Sequence, residues 1–255
     1  MTRFLLVTDL DDTLVGDADA LRQLDRFLAA SKARHGSRVV YSTGRSLTLY
    51  HELAAERGLP PPDALVTAVG TEIYFEIDAA VADPAWSGQL ADGWDRQQVA
   101  AAAGGFGDLQ AQPASEQRPY KISYFVAAQA AAEILPELHT ALAARGQRTQ
   151  LVYSGERHLD ILPAGAGKGL AMQYLRRLWG FAAAQTVACG DSGNDIALFG
   201  VGQERGIIVG NARPELLRWV RCNAAGRLYL ARAHHAKGII EGLRHFGFLG
   251  GDEGA

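Results

Sequence analysis

Phe4-Leu5-Leu6-Val7-Thr8-Asp9-Leu10-Asp11-Asp12-Thr13 is the stretch that decides the fold. Its first half is apolar and β-favouring without polar alternation, which reads as a strand buried on both faces of a parallel sheet. The run then stops at acids. In an open α/β sheet, ligands bind in the crevice beyond the carboxyl ends of the strands. Asp9 and Asp11, two positions apart, can both face that crevice if the chain curls over, and their repulsion is costly without a cation. A hard divalent ion resolves it, and Mg²⁺ suits a few carboxylates together with a phosphate. Taken alone, an acidic loop that caps a helix explains the stretch equally well.

Working outward, Leu21, Leu24, Phe27 and Leu28 recur at helical spacing, and Val39-Val40-Tyr41 reads as a second strand. Leu47, Leu49, Leu53 and Ala54 predict a helix that ends near Gly58 and the Pro60-Pro61-Pro62 stop, and Ala64 to Thr67 is a third strand. The texture changes after Phe75, where Asp83-Pro84, Gly88 and Gly93 interrupt the pattern. Helices are predicted over Gln97 to Ala103 and Ala130 to Ala144, and strands over Tyr120 to Val126, Thr149 to Tyr153 and His158 to Leu162. Alternation returns with a helix over Leu170 to Leu178, a strand over Thr186 to Cys189, a helix starting over Asp195 to Phe199 and a strand over Gly206 to Val209. Asn211 and Pro214 look like the cap and first turn of another helix, residues 239–245 form the last, and residues 250–255 are expected to fray. The pattern predicts an α/β fold, with a Rossmann-like, mostly parallel-sheet core over residues 1–80 and 164–255. An α+β module is inserted at residues 81–163.

The bulk properties exclude several classes. A chain of 255 residues with 48% apolar and 21% charged residues can bury an ample core. A net charge of −3 lacks the basic excess of a nucleic-acid binder. Two cysteines, Cys189 and Cys222, cannot build a disulfide framework or a metal cluster. The apolar run before Asp9 is too short for a signal segment or a membrane span. A soluble, cytoplasmic monomer is expected, with no nucleic-acid or membrane partner.

Three further pieces sit where strands should end. Ser42-Thr43-Gly44-Arg45 offers a hydroxyl and backbone N–H groups at a strand-to-helix turn, which makes either an anion site or an ordinary N-cap. Lys168, in Gly165-Ala166-Gly167-Lys168-Gly169, opens a helix from a glycine-rich turn and can set one positive charge beside a phosphate. Gly169 stands where a P-loop needs Ser or Thr, so this is not a P-loop. Gly190-Asp191-Ser192-Gly193-Asn194-Asp195 echoes the first acidic turn.

In this order, DxDxT, ThrGlyArg, a lysine and GDSGND resemble the haloacid dehalogenase-like phosphatase superfamily. The insertion resembles the large α/β cap of the Cof-type subgroup. Val15-Gly16-Asp17, Tyr41 to Ser46, Thr67 to Tyr74, Lys121-Ile122-Ser123-Tyr124 and Asp160-Ile161-Leu162-Pro163 resemble sucrose-phosphate phosphatases more closely. One departure is Gly167, where relatives often carry Asn or Ser; it bears on the turn and not on the lysine.

The resemblance implies a Mg²⁺-dependent phosphatase acting on sucrose 6-phosphate through an aspartyl-phosphate. Asp9 would be the nucleophile, and Asp11 the general acid and then base. Thr43 and Lys168 would hold the phosphoryl oxygens, with Gly44 beside them, and Asp195 would orient Lys168 or a water. The ion would sit on Asp9, the Asp11 backbone carbonyl and Asp191, while Ser192 and Asn194 shape the loop. Candidate sugar-binding groups are Lys121, Tyr124 and Asp160 from the cap, with Arg45 and Glu72 from the core. Rival readings are a phosphatase for mannosylfructose, mannosylglycerate or glucosylglycerol phosphate, a phosphomutase, or a non-catalytic sugar-phosphate-binding partner of a synthase. The resemblance also offers a sucrose-phosphate synthase as a partner.

Overall fold

The computed structural model describes residues 2–223 and 226–249. The expected fraying of residues 250–255 lies outside the described residues.

The chain opens with β1 (Leu5–Thr8), α1 (Ala18–His35), β2 (Arg38–Ser42), α2 (Leu47–Arg57), β3 (Ala64–Thr67) and β4 (Glu72–Tyr74). It continues with α3 (Pro84–Leu90), α4 (Arg96–Ala103), β5 (Gln110–Ala111), β6 (Ile122–Phe125), α5 (Ala128–Ala144), β7 (Thr149–Ser154) and β8 (His158–Pro163). It closes with α6 (Lys168–Leu178), β9 (Thr186–Gly190), α7 (Ile196–Gly200), β10 (Arg205–Ile208), α8 (Pro214–Asn223), β11 (Leu228–Leu230) and α9 (His235–His245).

One sheet of seven strands runs β11-β10-β9-β1-β2-β3-β4. Every neighbouring pair is parallel except β3 and β4. β1 sits at its centre, as its unbroken apolar run requires. Leu6 packs into the layer shared with α1 and α9, while Leu5 and Val7 face the layer built by α6, α7 and α8. The strand order reverses between β9 and β2 on either side of β1, so the crevice of such a sheet opens beyond Thr8.

A second, antiparallel sheet runs β5-β6-β8-β7 and is covered by α4 and α5 around Val99, Ile122, Leu138, Leu142, Leu159 and Ile161. Mostly parallel core and separate antiparallel module agree with the α/β expectation. Four elements were not anticipated: β4, α3, β5 and β11. The stretch read as broken at Asp83-Pro84 is instead a helix start. Asp83 caps α3 through the N–H groups of Ala85 and Trp86, and proline takes the first helical position. The buried Trp86 and Leu90 of α3 belong to the apolar cluster of the core sheet, which Leu162 of β8 also joins, and not to the cluster under α4 and α5. A boundary at residue 81 therefore runs ahead of a core-packed helix. Asn211 does not cap α8. Its amide donates to the Asp12 carbonyl at 2.6 Å and its Oδ1 accepts from the His235 N–H at 3.0 Å.

Candidate active site

β1, β2 and β9 all end at one rim, and their following turns supply the site. Lys168 opens α6, and its side chain is wholly buried. Its Nζ donates to Asp9 Oδ1 at 2.6 Å, Asp195 Oδ1 at 2.7 Å and Asn194 Oδ1 at 2.9 Å, which uses every donor an ammonium has. Asp195 Oδ2 accepts from the N–H groups of Asp191 and Ser192, both at 3.1 Å, so both of its oxygens are committed. Thr13 ties the first acidic turn to the last by donating to Asp191 Oδ1 at 2.9 Å. The close approach explains a glycine: a Cβ on Gly190 would lie 2.5 Å from the Asp195 side chain. Gly167, the departure before the lysine, has φ 121° and ψ 152°, a region open essentially to glycine alone.

Charge does not balance here. Asp9, Asp191 and Asp195 are all buried, with carboxylate oxygens within 4.8 Å of one another, around one buried ammonium. Arg213, half exposed, stands 3.8 Å from Asp191. Burial lifts the Asp191 carboxyl to about 7, and the Asp195 charge adds to the lift against Thr13 and Lys168. Burial also raises Asp9; Lys168 opposes this, while Asp195 and Asp191 add to it. Burial alone would lower the Lys168 ammonium, but Asp195 and Asp9 outweigh it and hold it cationic. An oxygen-lined pocket with surplus negative charge suits a hard divalent cation. Among the described residues, Asp9 Oδ2 and Asp191 Oδ2 are the oxygens of these three carboxylates that accept no hydrogen bond.

The Asp11 side chain does not join this acid cluster. Arg45 donates to it twice, Nε to Oδ2 at 2.8 Å and Nη2 to Oδ1 at 2.7 Å, at the half-exposed cleft mouth. The Asp11 side chain, named among the metal ligands, is thus engaged by Arg45 and stands apart from Asp9, Asp191 and Asp195. Thr43 is buried, its Oγ1 accepting from the Arg45 N–H at 3.1 Å. The N-cap of α2 is Ser46, so the Thr43–Arg45 turn is not consumed by capping.

Asp9, Asp191 and Asn194 floor a cleft of about 470 Å³, while Thr43, Lys168 and Asp195 are buried behind its lining. Asp9, Asp11, Gly44, Arg45, Asp191 and Asn194 line it from the core, and Gln112, Glu116, Lys121, Ser154, His158 and Asp160 from the inserted module. The module reaches the core at the tip of β7, where a Cβ on Gly193 would lie 3.5 Å from the Tyr153 carbonyl. Lys121 is buried and donates to Glu116 Oε2 at 3.3 Å and Asp160 Oδ1 at 3.5 Å. Asp160 also accepts from Ser123 Oγ at 2.6 Å. Glu116 Oε1 is buried without a partner.

Two sugar-binding candidates need correction. Tyr124 is buried in the module's own apolar cluster and does not line the cleft. Glu72 is buried behind it: Oε2 accepts from Thr67 Oγ1 and Tyr74 OH, both at 3.0 Å, and Oε1 from Arg118 Nε at 2.7 Å. Gln112, Glu116, Ser154 and His158 were not anticipated. His158 was within reach of sequence reasoning, because it lies two positions before Asp160 on β8 and so shares its face. Nothing local marks Gln112 or Glu116.

Fold and motif geometry together define a member of the haloacid dehalogenase-like superfamily. Residues 2–247 match the family Sucrose-6F-phosphate phosphohydrolase. The chain is 41% identical to probable sucrose-phosphatase 2 of Arabidopsis thaliana over 96% of its own length and 60% of that protein's. It is 36% identical to a mannosylfructose-phosphate phosphatase of Agrobacterium fabrum, covering 95% of this chain and 96% of that one. The structure of the sucrose-phosphatase from Synechocystis sp. PCC6803, in complex with sucrose and phosphate, superposes with a TM-score of 0.90 at 40% identity, covering 98% and 100% of the two chains. This chain belongs to the sucrose-6F-phosphate phosphohydrolase family. It spans about 60% of the length of the plant relatives it matches.

Proposed function

We propose that the protein hydrolyses sucrose 6-phosphate to sucrose and phosphate, with Asp9 as the phosphate acceptor. The observation that carries this is the placement of Lys168 Nζ between Asp9 and Asp195, 2.6 and 2.7 Å away, which fixes Asp9 from behind at the floor of a cleft roofed by the polar cluster of Lys121, Glu116 and Asp160. The cleft volume of about 470 Å³ suits a small ligand of disaccharide size.

In the first step Asp9 Oδ2 attacks phosphorus. The Asp9 Oδ2–phosphorus bond forms, the bond between phosphorus and the sugar oxygen breaks, and Asp11, which must first leave Arg45 and take up a proton from solvent, gives that proton to the departing sugar oxygen. In the second step water attacks the aspartyl-phosphate, Asp11 takes its proton, and Asp9 is released. Lys168 holds Asp9 in place and, with the Thr43–Arg45 turn, neutralises the phosphoryl oxygens. Mg²⁺, held by Asp9, Asp191 and the Asp11 carbonyl, would supply the charge that the cluster lacks and polarise the phosphoryl group. Residues 91–163 act as a cap that selects the sugar. Glu116 Oε1, buried and unpartnered, is an acceptor ready for a sugar hydroxyl, and a site built this way rejects analogues that lack it. Two free cysteines, Cys189 and Cys222, fit a reducing compartment such as the cytoplasm.

A second reading, a mannosylfructose-phosphate phosphatase, is favoured by the relative of nearly equal length that carries that name. The two are separated by phosphate release with Mg²⁺ from sucrose 6-phosphate, mannosylfructose phosphate, glucose 6-phosphate and fructose 6-phosphate, beside Asp9→Asn. Preference for sucrose 6-phosphate that disappears in the variant supports the proposal. Preference for another disaccharide phosphate moves the substrate, and full activity in Asp9→Asn ends the mechanism.

A further inference from the structure

Glu72 and Arg118 are two buried or half-buried charges that the chemistry above does not use. Glu72 opens β4 in the core, opposite Thr67 of β3. Thr67 and Tyr74 hold one of its oxygens, so the carboxylate is fixed before it meets any cation. β3 runs on into the turn Ala68–Gly70, where Val69 lines the cleft and donates its N–H to the Thr43 carbonyl at 3.1 Å. Glu72 is thus rigidly referenced to the phosphate-binding turn.

Arg118 belongs to the inserted module. It exchanges both backbone hydrogen bonds with Lys121, at 2.9 and 3.3 Å. Its carbonyl also accepts from Arg96 Nε at 3.1 Å, and the neighbouring Pro119 carbonyl accepts from Trp94 Nε1 at 3.0 Å. The turn carrying Arg118 is therefore stiff, and it ends at Lys121, whose ammonium faces the cleft between Glu116 and Asp160. Arg118 itself does not line the cleft. Among the described residues, Arg118–Glu72 is the only ion pair between the core and residues 91–163.

We propose that Arg118, clamped by Glu72, is a positioning residue for sugar specificity. It sets the height and register of the Glu116–Lys121 turn above the phosphate site without touching substrate. The inference rests on the disaccharide-phosphate reading. Its physical basis is leverage: a carboxylate tied to the phosphate-binding turn grips the segment that carries the sugar-facing charges. A substrate with no sugar has no use for that register.

The test is steady-state kinetics of Arg118→Ala and Arg118→Lys on the disaccharide phosphate that the wild type prefers, and on p-nitrophenyl phosphate. Arg118→Ala should lose about tenfold or more in kcat/KM for the disaccharide phosphate, chiefly through KM, with p-nitrophenyl phosphate hydrolysis within about twofold of wild type. Arg118→Lys, which keeps the charge, should recover part of the loss. In a Glu72→Gln background, Arg118→Ala should cost less than it does alone, because the pair acts as a unit. An equal fall on both substrates, or no change in KM for the disaccharide phosphate, overturns the inference. If Arg118→Ala does not fold, the Lys variant and Glu72→Gln carry the same comparison. Failure of the wild type on every disaccharide phosphate overturns the functional reading itself, which separates the two failures.

Discussion

Lys168 neutralises two carboxylates and holds a third acceptor, the Asn194 amide, and its surroundings make substitution unforgiving. A lysine in water is a solvated point charge, whereas here it is wholly buried with each donor assigned. Lys168→Met should lower kcat by about 10²–10³-fold or more, the scale of losing one preorganised charge-stabilising donor. Lys168→Arg should not rescue it, because a planar fork cannot reach three acceptors arranged around a compact ammonium. Asp191, with Asp9, makes the cluster sensitive to pH. Its carboxyl, lifted from 3.8 to about 7 by burial and then by Asp195, binds its proton more tightly folded than unfolded. Its contribution to stability is therefore full below the unfolded value and is lost as pH rises through 7. In EDTA, the Tm advantage of Asp191→Asn over wild type should widen from pH 4 to pH 8, and added Mg²⁺ should close that gap by stabilising the wild type. A gap that stays constant with pH would remove Asp191 from the account.

At the scale of elements, the turn Ala68–Gly70 is the unusual one. Ala68, Val69 and Gly70 all have positive φ, at 51°, 59° and 90°, and Val69 is β-branched. Left-handed backbone costs an L-residue about 1–2 kcal/mol. The turn persists because its neighbours over-determine it. Ala68 donates to the Arg45 carbonyl, Val69 to the Thr43 carbonyl, and Trp86 Nε1 to the Gly70 carbonyl at 2.8, 3.1 and 3.2 Å. Gly70 also abuts the Gly167–Lys168 backbone, where a Cβ would sit 2.2 Å from a carbonyl carbon. One turn thus braces the Thr43–Arg45 segment against the start of α6. A stability inversion follows: Val69→Gly should melt at a higher temperature than Val69→Ala. Both lose the buried side chain, but only glycine relieves the strain, and that relief exceeds the roughly 0.5–1 kcal/mol glycine usually costs against alanine. Thermal unfolding of the two variants decides it, and the ordinary order, with alanine more stable, would mean that the turn is not strained.

Across the whole molecule, the core and the inserted module each have an apolar cluster, Leu162, Tyr120 and Val152 of the module joining that of the core, and the two parts also meet at the cleft and through Arg118–Glu72. Leu138 is fully buried within the module's cluster. Leu138→Ala should cost about 2–5 kcal/mol of that module's stability. Hydrogen exchange should show faster exchange in α4, α5 and β6 while β1 and β9 stay protected; equal deprotection of both sheets would show a single cooperative unit. The motifs and the strand-helix alternation were legible in the sequence, because each motif lies within a few residues and at the end of a strand whose apolar run is local. Phe4 to Thr8 by itself pointed to a buried parallel strand, and the structure puts that strand at the centre of the sheet. Three things were decided only by tertiary structure. The cleft roof draws Gln112, Glu116, Lys121, His158 and Asp160 from across nearly fifty positions, through the antiparallel register that sets Ser123 against Asp160. Glu72, read as a sugar ligand, became a brace because Thr67, Tyr74 and Arg118 converge on it. Asp11 left the acid cluster because Arg45, thirty-four positions away, binds its carboxylate with both arms. Local patterning determines which backbone is buried and where it must turn; which charges end up partners depends on distances that only the folded chain closes.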